Sequence, residues 1–474
     1  MPPQQGTAVA AGVAPTIADL PDELLARCLE PLDQKQRLKD AALACKQFLR
    51  ACLALPLDVS IRGSLQTSAA AQLLARLLAL RAFLSKHAPP VRSLRFFSSA
   101  GGAAGQEEMA ALAACLALCT AASSPLQRLD IFAPAPLPLS RLVGLPGLRQ
   151  LKHLTLRTWD APLRLPAGCS QLAVLAELEL AGEVVQLEGP ALPPAITRLW
   201  LEDRTSTQLP RQLLSLRSLA RLELECRALE TGSLRLLAGV PSLMSLYCSS
   251  VEAPLLAGLG LEAVTQLQQL EAGLSPEDVA GLDATLPALQ RLRTLSLYCL
   301  DFQRRTLPFL ASLPRLQRLC IDYDLLADAE PEGGDSAPSL PPGPWLASLH
   351  WLAAPWRTLQ ASAAVLHSAT ALQHLSCFYL PEPVGEDAEA RASWAGFWSC
   401  LELLPALRCL CIHTFDNLER PPLPPAATHA LLALVTRRPA LRWHLTHEFT
   451  PLPALLAMTD IPASLDVEPL EYVY

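Results

Sequence analysis

Three side chains with metal-ligand chemistry alternate along one short segment: Cys409, Cys411 and His413. Thiolate and imidazole are both zinc ligands. In an extended strand, residues two apart share a face but stand roughly 7 Å from each other. That spacing is too wide for three ligands on one ion without distortion, so the alternation reads as ordinary strand residues. No metal and no other cofactor is expected. The chain has 14 cysteines but no Cys-x-x-Cys pair, no His-Glu-x-x-His, no Gly-x-Ser-x-Gly and no glycine-rich phosphate loop. An enzyme is therefore not expected, and any catalysis would belong to a partner.

The elements that carry these residues repeat. Leu-x-x-Leu-x-Leu, or an apolar equivalent, reads LKHLTL at Leu151, LAELEL at Leu175, ITRLWL at Ile196 and LARLEL at Leu219. It continues as LMSLYC at Leu243, LQQLEA at Leu267, LRTLSL at Leu292 and LQRLCI at Leu316. The fourth positions, Leu154 through Leu319, follow one another at 24, 21, 23, 24, 24, 25 and 24 residues. A fixed period of this length means a solenoid. The fourth and sixth positions alternate as in a strand and point into a core, while the third, fifth and seventh point outward. One unit cannot bury its own apolar side; stacked units share a continuous core and a parallel sheet.

This pattern resembles the leucine-rich-repeat family over residues 91–445. Outlying copies are VRSLRF at Val91, LQRLDI at Leu126, LQHLSC at Leu372 and LRCLCI at Leu407, with a degenerate LASLHW at Leu346. The family pattern places Asn or Cys three residues after the last strand leucine. Here that position holds Trp159, Glu183, Arg204, Arg227 and Leu300. The asparagine ladder is missing, so the loops must satisfy their backbone groups in another way.

Outward positions in the middle of the array carry Glu177, Glu179, Glu202, Glu223, Glu225 and Glu271, interleaved with Arg198 and Arg221. Trp200, Tyr247 and Tyr298 point the same way, and exposed Trp and Tyr are common binding anchors. The candidate target-binding set is Glu179, Arg198, Trp200, Arg221, Glu223, Tyr247 and Glu271. Its charge suits a basic or mixed-charge protein segment and repels a highly charged anion. The competing reading is a face charged only for solubility.

Composition agrees with a large Leu/Ala core: 51% of residues are apolar and 5% aromatic. The net charge is −7 with no Lys/Arg block, which argues against nucleic acid and anionic membranes. The first residues, MPPQQGTAVAAGVAPT, lack the basic start of a secretory signal. Met109 to Leu126 has transmembrane length but is mostly Ala with Cys, Thr and Ser, and reads as a helix of an early repeat. Cys248 and Cys377 fall on core positions, where a reduced thiol packs as a small hydrophobe. The expected compartment is reducing, cytosol or nucleus.

Ahead of the repeats, Leu20 to Leu55 has a different, helical period. Pro21, Asp22 and Glu23 suit a first helical turn. Leu24, Leu25, Cys28 and Leu29 then form an apolar stripe, Pro31 ends it, and Asp33 with Gln36 matches a capping box for the next helix. In order come Leu20-Pro21-Asp22-Glu23-Leu24-Leu25, Leu32-Asp33 and Cys45-Lys46-Gln47-Phe48. This run resembles an F-box, with Leu43 and Phe48 standing where that family more often has Val and Trp. The resemblance implies docking on the Skp-type adaptor of a cullin–RING ubiquitin ligase. Leu20, Pro21, Leu24, Leu25, Leu29 and Leu32 would face that partner or support the face. The alternative is that these helices only cap the first repeat.

The expected fold is thus an α/β solenoid, a leucine-rich-repeat horseshoe with a parallel concave sheet, preceded by a small all-α F-box-like module. Residues 1–16 are expected to be disordered, 17–56 to form the helical module, and 57–90 a connecting helix. Residues 91–445 would carry about 12–14 repeats, with loop insertions at 328–344, 381–392 and 419–428. Residues 446–474 would cap the array. The expected function is a substrate receptor of a cullin–RING ligase, holding an unknown target protein on the repeats. The alternative is a ligase-independent interaction scaffold.

Overall fold

A computed structural model of the chain describes residues 25–26, 29–30, 33–37, 46–63, 69–121, 126–134, 146–159, 161–189, 192–226, 229–249, 258–274, 276–299, 307–323, 339–378, 401–414, 437–438, 441–447 and 465–466. The chain divides into two units, residues 1–178 and 179–474.

In the first unit, strands β1 (Leu57–Arg62), β2 (Val91–Phe97), β3 (Arg128–Phe132) and β4 (His153–Arg157) pair in parallel, in chain order. Their core positions are regular: Leu94, Leu129 and Leu154 align, as do Phe96, Ile131 and Leu156. All six are buried. A parallel strand needs a return crossing of a dozen residues or more. Two of these crossings are helices, α2 (Ala69–His87) and α3 (Gly102–Ala121), which pack on each other. Leu73, Leu77 and Leu84 of α2 and Leu112, Cys115, Leu116 and Cys119 of α3 are buried, at the spacing of a helical stripe. Residues Met109 to Ala121 are therefore helix, and no helix among the described residues is long and apolar enough to cross a membrane.

Sequence reading gave 57–90 to a connecting helix alone. The structure instead starts its ladder at β1, within LDVSIR, and only then enters α2. The segment lacks the Leu-x-x-Leu-x-Leu spacing, yet Leu57 and Ile61 alternate inward as strand residues do. The helix α1 (Lys46–Ala54) precedes it. Leu25, Leu29, Ala51, Cys52 and Leu55 form a small core of their own. The Gln34 amide holds the edge strand at both hands: Nε2 donates to the Asp58 carbonyl at 2.7 Å, and Oε1 accepts from the Asp58 amide at 2.6 Å. An exposed sheet edge is a row of unmet donors and acceptors, and Gln34 satisfies one pair of them.

In the second unit, β6 (Arg198–Asp203) through β11 (Arg318–Tyr323) continue the pattern after β5 (Glu177–Gly182), which falls at the division. Between them lie β7 (Arg221–Cys226), β8 (Ser245–Ser249), β9 (Gln269–Leu274) and β10 (Thr294–Cys299). From β6 onward each strand pairs in parallel with the next, and Leu199, Leu222, Leu246, Leu270, Leu295 and Leu319 form one continuous row. Burying each such leucine contributes on the order of 1.5–3 kcal/mol. Strands β12 (Trp351–Pro355), β13 (His374–Phe378), β14 (Cys409–Thr414), β15 (Arg442–His447) and β16 (Leu465–Asp466) extend the ladder. This is a leucine-rich-repeat solenoid with a parallel sheet. The last strand lies within the segment expected to be a cap.

The missing asparagine ladder is replaced on the return path. There the chain runs in 3-10 turns whose amides bond three residues back, as in Leu213 N to Pro210 O and Leu216 N to Leu213 O. Side chains from one repeat then meet carbonyls of a neighbour. The Gln212 amide donates to Leu187 O and Gly189 O, Gln266 to Leu237 O and Val240 O, and Gln290 to Ser312 O. The Ser348 hydroxyl lies within hydrogen-bond reach of Pro314 O and Leu316 O, and Arg438 donates to Leu401 O, Leu404 O and Leu407 O. After β6, Asp203 accepts the amides of Thr205 and Ser206 through Oδ1 and that of Val185 through Oδ2. Polar side chains thus satisfy backbone groups of these turns and loops.

Residues 1–16, the loop insertions 381–392 and 419–428, and most of 328–344 lie outside the described residues.

Candidate interaction surface

The outward positions of β6 to β9 bring six of the seven predicted target-binding residues together. Strand register aligns Trp200, Glu223, Tyr247 and Glu271 in one row, with Arg198 and Arg221 in the row beside it. Neighbouring parallel strands stand about 4.8 Å apart, so these residues are neighbours across the sheet. Glu223 is central: Arg198 Nη2 lies 2.9 Å and Arg221 Nε 2.8 Å from its Oε1. Glu179, the seventh, lies on β5 and is half-buried.

Trp200 differs from expectation. It occupies an outward position but is only 8% exposed. The close strand spacing lays its ring under its neighbours, and its Nε1 donates to Glu225 Oε1 at 3.2 Å. It serves as a wall of the ladder, and the more accessible aromatic rings are Tyr247 and Tyr298, both half-buried. Burial and the carboxylates around it, Glu225, Glu271 and Glu223, push the Tyr247 hydroxyl up from its ordinary value. Burial acts the same way on Tyr298, whose hydroxyl donates to Glu271. Both tyrosines stay neutral donors in an acidic setting. The ladder is thus acidic, yet its carboxylates already hold donors from within the sheet.

Sequence reading passed over a second region, in the first unit. Arg92, Arg95 and Arg128, with Asp58, Gln127 and His153, line an open groove of about 540 Å³ on β1 to β4. The β1–β2 register passes from Leu57↔Val91 to Asp58↔Ser93, leaving Arg92 as an extra, bulged residue. A bulge re-aims the side chain it carries, and Arg92 forks onto both Asp58 carboxylate oxygens. Asp130 is 4% exposed at its side chain, and one of its oxygens, Oδ2, meets two cations: Arg128 Nε at 2.8 Å and Arg95 Nε at 3.2 Å. Its other oxygen, Oδ1, is buried without a hydrogen-bond partner. His153 Nδ1 lies 2.9 Å from Glu177 Oε2. The signal was present in the sequence as outward arginines of VRSLRF and LQRLDI.

Of the predicted adaptor-binding residues, Leu25 and Leu29 are interior, at 1% and 5% exposure. Leu20, Pro21, Leu24 and Leu32 lie outside the described residues.

The thiols are sequestered. Cys248 and Cys377 are buried, as their core positions require. Burial pushes Cys115 up to about 11 and Cys119, Cys169, Cys226 and Cys320 up to about 12, so thiolate, the reactive form, is scarce. At β14 the expected spacing is corrected: Cys409 and Cys411 lean together until their sulfurs are 3.8 Å apart. The hydrogen bond to Cys409, and burial after it, push the Cys411 thiol up. No group of three or more potential metal ligands occurs among the described residues.

No protein-family model matches the chain, and no curated protein matches it. Solved structures do. An internalin of Listeria monocytogenes is similar at 15% identity and TM-score 0.33, over 71% of this chain and 82% of that one. TLR13, in its complex with ssRNA13, is similar at 15% identity and TM-score 0.40, over 79% of this chain and 56% of that one.

Proposed function

We propose that this protein is an interaction scaffold that acts as a substrate receptor of a cullin–RING ubiquitin ligase, in the cytosol or nucleus. The helical module would dock on a Skp-type adaptor, and the repeats would hold a target protein. The role is positioning: a tethered target presents its lysines to the transferring enzyme at high effective concentration. The observation that supports this most is the coincidence of the ordered F-box-like marks with a small separate core, Leu25, Leu29, Ala51, Cys52 and Leu55, just ahead of the ladder. A module with its own core can offer a face to a partner. Adaptor co-purification with the full-length protein tests the reading. Retention that is lost in Leu20→Asp/Leu24→Asp supports it, and absence of retention by the wild-type protein contradicts it.

One observation favours a second reading, a ligase-independent scaffold. The Gln34 clamp on Asp58 ties the helical segment to the sheet edge, which is what a cap does. Deleting residues 1–45 then separates the cases by the stability of the remaining chain.

A further inference from the structure

We infer that the arginine groove on β1 to β4 is a docking site for an acidic peptide segment of a partner protein, read through its Asp and Glu carboxylates. The positive excess of the groove is local: Arg92 is matched by Asp58 and His153 lies against Glu177, while Arg95 and Arg128 share Asp130. Arg95 and Arg128 both lean on one oxygen of Asp130, so a single negative charge serves two guanidiniums. Each guanidinium carries five N–H donors in a planar fork that suits a carboxylate. Through their Nε atoms, Arg95 and Arg128 spend only part of that capacity on Asp130. Their side chains remain 51% and 42% exposed. The buried Asp130 beneath them holds the pair in place, as a fixed counter-ion does for a preorganised anion site.

Three features point to a peptide rather than a single small anion. The groove is open and crosses several strands, from Asp58 to His153. Its cations recur on adjacent strands, at Arg95 and Arg128, which stand diagonally, one strand across and two residues along, since Arg95 pairs with Asp130 and Arg128 with Ser93. Residues on one face of an extended peptide recur at a comparable interval, so successive acidic side chains can meet successive arginines. The charge is opposite to that of the Glu223–Glu271 ladder, and an acidic segment has no favourable place there. This inference does not depend on adaptor docking, because none of the groove residues belongs to the helical module.

The test uses full-length protein and fluorescence anisotropy with labelled peptides of equal length carrying four Glu, four Gln, four Lys or four phosphoserine residues. The Glu peptide is expected to bind at least about ten-fold tighter than the Gln and Lys peptides, weakening with added salt as an ion-pair site must. Arg95→Gln/Arg128→Gln is expected to lose about ten-fold, and Arg95→Lys/Arg128→Lys part of that, because Lys keeps charge without the fork. Glu223→Gln, in the acidic ladder, is expected to leave the affinity unchanged. Equal affinity for the Glu and Gln peptides overturns the proposal, as does an unchanged affinity in the double Gln variant. Binding of the phosphoserine peptide alone overturns the carboxylate assignment. If the Gln variant fails to fold, the Lys variant decides by the same comparison.

Discussion

The acidic ladder of β6 to β10 and the arginine groove of β1 to β4 both lie on outward faces of parallel repeat strands, yet they hold their charge differently. In the ladder, each named carboxylate has found a donor within the sheet: Glu223 takes Arg198 and Arg221, Glu225 takes Trp200, and Glu271 takes Tyr298. In the groove, two guanidiniums share one oxygen of one buried carboxylate and keep most of their donors free. A parallel ladder fixes where outward side chains stand, but the residues chosen decide whether they satisfy one another or wait for a partner. Substitutions in the ladder should therefore register as stability, and substitutions in the groove as binding.

The largest expected effect is common to both regions and tests whether the scaffold is equivalent. Leu94→Ala beneath the groove and Leu222→Ala beneath the ladder each remove a fully buried side chain. Each should cost about 2–5 kcal/mol in urea unfolding. A cost below about 1 kcal/mol at either site would break the equivalence.

Next comes a pH effect confined to the first unit. Glu108 on α3 is 1% exposed, hydrogen-bonded to the Ser98 hydroxyl, and has a second oxygen without a partner. Burial raises its pKa, with the Ser98 bond opposing. A raised folded-state value favours the protonated form, so the native state holds a proton that the unfolded chain releases. The wild-type protein should lose stability as pH rises from the ordinary carboxylate value through the raised one. Thermal melts across that window should show Glu108→Gln without this loss; parallel pH profiles for the two proteins would contradict the assignment.

Smaller effects separate ladder from groove directly. Trp200→Phe keeps the ring but drops the donor to Glu225, and should cost about 1–2 kcal/mol by the same unfolding assay. Gln34→Ala should cost about 1 kcal/mol by releasing both Asp58 bonds. Arg128→Gln removes a half-exposed guanidinium from an acid that keeps Arg95, and should change stability by no more than about 0.5 kcal/mol. A larger loss for Arg128→Gln than for Trp200→Phe would reverse the distinction between the regions.

The ladder was legible because leucine spacing is periodic and a strand alternates with period two; that spacing alone places Leu199 to Leu319 in one row. The start at β1 was not, since LDVSIR carries the alternation without the motif. Trp200 was placed on the correct face but read as an accessible anchor, because a single strand does not reveal how closely its neighbours cover it. The groove escaped notice for a related reason. Arg92 and Arg95 lie on β2 and Arg128 on β3, and only the register, with the bulge at Arg92, brings the first to Asp58 and the other two to Asp130. The sulfur contact between Cys409 and Cys411 likewise depends on side-chain torsions that backbone spacing does not carry.

We propose that the N-terminal helices, and not the repeat surface, receive the adaptor. Hydrogen–deuterium exchange of the full-length protein, with and without a purified Skp-type adaptor, tests it most directly. Adaptor-dependent protection is expected to be confined to peptides from residues 17–56, with the strands from Arg198 to Leu274 unchanged. Protection that falls on those strands, or no protection anywhere in the chain, would contradict it.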